Sequence, residues 1–263
     1  MSTSCSRLLI LIVYLIVYFL GIRGFSLSAQ NADYSAADTR TKLRAFEMGK
    51  LSLDELSALP NICDDLADFY FAHTNEVTTK MKLPISRCFA ALKKYSEAST
   101  LAHDYVAVYS NDWHGWRIVG GANLMLKSYE DALVALTNAV RLGDEGNYVA
   151  LGLAAIPLKR VDVLKSMVVP HLLELKDSGE ISDRLDMIGV LVVYALLEGR
   201  EDIFIKALEG LKSEDVKYLI AREDTVKESV MLGWKQFHPK KLQSLCQEIE
   251  RQMKNESTPG SKE

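Results

Sequence analysis

Glycine and proline are scarce in this chain, at 15 and 6 of 263 residues, so disorder of the loop-rich kind is not expected. With 48% hydrophobic and 25% charged residues, the composition is that of a protein with a packed core. No block of basic residues stands at either end and the net charge is −4, so nothing favours nucleic acid as a partner. Sustained period-two alternation is missing, which argues against strands. The marks of catalysis are missing too. There is no HExxH, no cysteine–histidine zinc spacing, no GxSxG, no phosphate-cradling glycine loop and no dinucleotide fingerprint. The chain therefore reads as non-catalytic, with no cofactor and no metal expected.

Single reactive residues do not change that reading. Of the histidines His73, His103, His114, His171 and His238, His73 shares a helical face with Glu76 at i, i+3. A di-metal carboxylate site needs a second such pair and further carboxylates, and none is arranged that way. Cys88 has no identifiable base to activate it. Cys5 precedes an apolar run, and Cys63, Cys88 and Cys246 follow it. Cys63 and Cys88 can pair in an oxidising compartment, or serve as small buried hydrophobes.

One long apolar run is present, LLILIVYLIVYFLGI over residues 8–22, between Arg7 and Arg23. As a helix it spans roughly 22 Å, against a bilayer core of about 30 Å. Ser26, Ser28 and Ala29 supply small residues for a signal-peptidase cut. Residues 1–28 are thus expected to be a signal peptide or, uncleaved, a membrane anchor. The rest then lies outside the cytoplasm, periplasmic, secreted or tethered, with this segment as its one link to a membrane.

Residues 29–52 read as a polar linker with a short helix near 39–48. Ser52 and Glu55 form a capping-box pattern that starts a helix at Leu53, and Asn61 is placed to cap the next one. From there apolar residues recur at spacings of three and four, an all-α pattern. Self-comparison then finds a period of 34 residues. Tyr95, Glu97 and Ala98 match Tyr129, Asp131 and Ala132; Ala102 matches Leu136 and Tyr105 matches Ala139. Upstream, Ile85, Ser86 and Phe89 match Val119, Gly120 and Asn123.

Thirty-four residues is the tetratricopeptide period, and WRIVGGANLMLKSYEDALVALTNAV, which begins at Trp116, resembles that family. Trp116, Val119 and Gly120 stand at its aromatic, apolar and small positions, and Tyr129, Ala132, Leu136 and Ala139 at those of the second helix. Gly120 and Ala132 should let the two helices touch while Trp116 and Leu136 fill the space beside them. Ser128 with Asp131 adds a second capping-box pattern. The sequence departs from the family at Asn123, where Tyr is usual, and at Asp144, where Pro often closes the repeat. A third copy begins near Asn147, with Tyr148, Leu151 and Gly152, two residues early. Pro157 and Pro170 should kink or shorten its helices. Residues 181–209 read as a further helix pair, with Gly189, Tyr194 and Ala195 as close-contact positions.

The resemblance implies a right-handed helix–turn–helix solenoid over residues 53–212. Capping helices follow over 213–254, broken at His238 and Pro239, and then a disordered tail over 255–263 that carries a sequon at Asn255. It also implies that first helices line a groove for a protein or peptide partner. That geometry puts Lys80, Arg87, His114 and Arg117 at or near the groove, a set suited to acidic or C-terminal carboxylate groups. Trp113 is left over as an aromatic without a packing role. Two other readings stay open: a self-associating assembly protein, and a helical enzyme whose site is built from scattered residues.

Overall fold

The computed structural model describes residues 39–175, 181–209, 211, 225–237 and most positions of 239–251. The expected signal or anchor, most of the polar linker's first half, residues 213–224 of the expected cap and the tail lie outside them. So do Cys5, Cys246, His238 and Asn255. The described residues are helical, without a strand. None of their helices is long and apolar enough to cross a membrane. The chain divides into two compact units, one ending at Ala154 and the other built from Ala155 onward.

In the first unit, α1 (Thr39–Glu47), α2 (Leu53–Ser57) and α3 (Ile62–Ala72) precede α4 (Lys82–Ala91), α5 (Tyr95–Val106), α6 (Trp113–Met125) and α7 (Tyr129–Arg141), and α8 (Tyr148–Ala155) follows. From α4 to α7 each helix packs on the next, joined by short turns. The 34-residue period is visible as burial. Ile85 and Val119, Ser86 and Gly120, Phe89 and Asn123, Ala98 and Ala132, Ala102 and Leu136, and Tyr105 and Ala139 are buried as pairs. Tyr95 and Tyr129 are both half-buried. Two buried polar members are satisfied locally: Ser86 Oγ donates to the Leu83 carbonyl at 2.8 Å, and Asn123 Oδ1 accepts from Ser99 Oγ at 3.0 Å.

A second regularity lies in the turns. Gly49, Lys93, Lys127, Gly143, Lys159 and Gly199 all have φ between 53° and 101°. In each case the amide of the following residue reaches back five positions: Lys50 to Ala45, Lys94 to Phe89, Ser128 to Asn123, Asp144 to Ala139, Arg160 to Ala155 and Arg200 to Ala195. This left-handed closure satisfies carbonyls that a helix end would leave bare. Lys93 and Lys127 are 34 residues apart and Lys159 is 32 beyond.

That closure also explains a failed cap. Ser52 has ψ 166°, accepts from the Glu55 amide and forms the expected capping box. Ser128 occupies the N-cap of α7 but has ψ 71° and makes no side-chain capping bond. Its backbone is committed to the turn before it, so the extended geometry a capping serine needs is not reached. Asn61 likewise stands at the N-cap of α3 in a left-handed conformation, φ 56°, without a side-chain bond.

In the second unit Pro157 lies in the turn after α8. The next helical run comprises α9 (Val161–Val163), a π-helical stretch Leu164–Val168 and α10 (Val169–Leu175). The π-stretch ends two residues before Pro170, whose missing N–H prevents regular helical bonding. The expected pair follows as α11 (Ile181–Glu198) and α12 (Glu201–Leu208), with Gly189, Tyr194 and Ala195 buried. Then comes α13 (Thr225–Phe237), which packs on α11 and ends two residues before Pro239. A Cβ at Gly233 would lie 2.1 Å from the Phe204 ring, a close approach that the sequence reading did not single out.

Candidate functional site

Asp112 sets the start of α6. Its backbone is extended, and its Oδ1 accepts from the His114 amide at 3.0 Å and meets His114 Nδ1 at 2.8 Å. Its Oδ2 accepts from the Tyr105 hydroxyl at 2.6 Å, which ties α5 to α6. Burial works against the Asp112 charge, but the hydrogen bonds from His114 and Tyr105 outweigh it and hold the carboxyl below its ordinary range. Burial, with the same carboxylate beside it, pushes the Tyr105 phenol up. The sequence reading missed Asp112, although an Asp one residue before a helix is a recognised starting signal.

The four residues expected at the groove all have partners inside the chain. Lys80 Nζ donates to the Glu47 carbonyl at 2.5 Å and lies 5.9 Å from the Phe46 ring, so it completes the end of α1. Arg87 pairs with Asp54 at 2.8 Å. His114 is held by Asp112 and lies flat on the Trp113 ring, with centroids 3.5 Å apart. Arg117 forks onto Asp144 through Nε and Nη2 and also lies 4.4 Å over Trp113. Trp113 therefore has a role after all: it is stacked by His114 and Arg117.

Asp144, at the position where the resemblance expects Pro, is an anchor. It is 1% exposed and accepts both Arg117 and the Asn147 side-chain amide. The pair fastens α6 to the turn after α7. Of the first-helix cations, Arg117 keeps 36% of its side chain in solvent and Arg87 keeps 16%.

Ala98, Ala132, Leu136 and Ala139 are fully buried, and a Cβ at Gly120 would fall 2.5 Å from Leu136 Cγ. Trp116 differs: it is half-buried, and its indole N–H donates to the Ser110 carbonyl at 2.7 Å. The close approach between α5 and α6 belongs instead to Gly115, where a Cβ would meet Val106 and Tyr105 at 2.6 and 2.7 Å.

Gly121 stands apart from these glycines. It lies on the α6 face of His114 and Arg117, at i, i+3 and i+7, and a Cβ there would meet nothing within 4 Å. Elsewhere, His73 and Glu76 approach to 3.4 Å, but Glu76 is forked by Arg40 at 2.8 and 2.9 Å, as an ion pair rather than a metal site. No group of three or more potential metal-binding side chains occurs among the described residues. No protein-family model matches the chain, and comparison with curated proteins likewise finds no match.

Proposed function

We propose that this protein is a non-catalytic scaffold of tetratricopeptide type. On this reading α4 to α7 form part of a right-handed solenoid that presents first-helix faces to a protein or peptide outside the cytoplasm. The observation that carries the reading is the uncovered face of α6 around Gly121. A glycine inside a helix costs about 1 kcal/mol relative to alanine. Gly115 and Gly120 offset that cost by admitting a neighbouring helix, whereas among the described residues nothing comes within 4 Å of a Cβ at Gly121. A partner backbone lying against α6 accounts for it.

The exposed part of the Arg117 guanidinium borders the same face, which favours a carboxylate on the partner. Arg117 cannot supply a clean test, because its removal strands a buried carboxylate. Gly121→Leu is the better probe: it favours the helix and fills the face. The native partner, captured by mild cross-linking and identified by mass spectrometry, should be lost in this variant while helicity is retained. Undiminished capture removes the α6 face from the proposal. The location outside the cytoplasm rests on the apolar run over residues 8–22, and the N-terminus of the native protein tests it.

A further inference from the structure

Cys63, the second residue of α3, and Cys88, in the C-terminal half of α4, lie on helices that pack together, and both are free thiols. Cys63 packs against the core cluster to which Cys88 belongs, and each thiol is the largest influence on the other's ionisation. They differ in access: Cys88 is 1% exposed, whereas Cys63 is half-buried. Two adjacent thiols, one reachable from solvent and one sealed beneath it, match the division of labour of an attacking and a resolving cysteine.

We propose that Cys63 and Cys88 are a dithiol–disulfide site that takes low-molecular-weight disulfides as oxidant and, once oxidised, clips α3 to α4. The Cys63 thiolate attacks one sulfur of the small disulfide, whose S–S bond breaks. The departing thiolate takes up a proton. Cys88 then gives up its proton and attacks the Cys63 sulfur of the mixed disulfide, releasing a second small thiol. Two electrons pass from the protein to the small disulfide, and two small thiols leave for each protein disulfide formed.

The surroundings agree with this order. The neighbouring Cys88 holds the Cys63 thiol below its ordinary value, against burial and Asp64, and Arg87 assists. Cys63, together with burial, pushes the Cys88 thiol up. Cys88 is therefore the less readily ionised of the two thiols. A disulfide here closes a loop of 25 residues, long enough for the cross-link to restrict the unfolded chain appreciably. The inference does not depend on the scaffold reading.

The test uses the reduced full-length protein incubated with excess glutathione disulfide, alkylated and digested with trypsin without reduction. The expected product joins peptide 51–80 to peptide 88–93, is lighter than their sum by two hydrogens, and disappears on reduction. Cys88→Ser should stop at glutathione on Cys63, and Cys63→Ser should leave Cys88 unmodified in the folded protein. Oxidation should raise Tm by about 5–10 °C. Cys63 and Cys88 both remaining alkylatable, or Cys88 taking glutathione as readily as Cys63, would overturn the proposal.

Discussion

Leu136 occupies the space that a side chain on residue 120 would need: a Cβ at Gly120 lies 2.5 Å from Leu136 Cγ and 3.2 Å from its backbone nitrogen. Gly121, its neighbour, faces open space. Alanine at these two adjacent positions should therefore act in opposite directions. Gly120→Ala is expected to destabilise by about 2 kcal/mol through overpacking, less the helix-propensity gain. Gly121→Ala should stabilise by about 1 kcal/mol. Urea denaturation of both variants checks this, and equal signs would contradict the packing described.

The left-handed turns give a second prediction. Lys93 and Lys159, both exposed, hold φ of 62° and 53°, where a Cβ is disfavoured by about 1–2 kcal/mol. Glycine removes that strain but adds freedom to the unfolded chain. Lys93→Gly and Lys159→Gly should each stabilise by about 0.5–1 kcal/mol in equilibrium denaturation. A loss of stability would mean that the lysine side chains contribute more than the turn geometry indicates.

Much of this fold was legible from residue spacing, because helix packing leaves small and apolar residues at fixed intervals. Ala98 with Ala132 and Ile85 with Val119 show the period in the sequence, and burial repeats it. Three of the turns were not legible. Left-handed closure is signalled by glycine or asparagine, and Lys93, Lys127 and Lys159 carry no such mark. Ser128 misled for the same reason, since its residue type fits a cap that its backbone does not allow. The cations misled differently. Sequence places Arg117 and Lys80 on a first helix or beside it, but their acceptors, Asp144 and the Glu47 carbonyl, lie 27 and 33 positions away in the chain.

Asp112 joins two helices, and its removal should be costly. Asp112→Ala loses a helix cap and the acceptor of the Tyr105 hydroxyl, an expected loss of about 2 kcal/mol. Because the folded carboxyl titrates below the unfolded value of about 3.9, its contribution is present above that pH and is lost as pH falls through the depressed value. The difference in denaturation midpoint between wild type and Asp112→Ala should therefore begin to narrow as pH falls below about 3.9. A gap that stays constant with pH would contradict the charged role of Asp112.

Arg117→Ala leaves the Asp144 carboxylate buried with the Asn147 amide as its remaining described partner. Loss of one member of a buried pair costs several kcal/mol. With Arg117 at 36% exposure, solvent screening brings the expectation down to about 2 kcal/mol. Arg117→Lys should recover part of this, since it restores charge without the two-pronged geometry. Thermal melts of the two variants measure the difference, and equal Tm values for Arg117→Ala and wild type would show the pair to be energetically idle.

The central claim is that the face of α6 around Gly121 receives a partner. Its most direct test is quantitative capture from the native source by wild type, Gly121→Leu, and Val134→Ala as a control at an exposed position of α7. The account predicts one partner held in fixed ratio by wild type and Val134→Ala and lost by Gly121→Leu, with helicity unchanged in all three. The same partner held equally by all three proteins would contradict it.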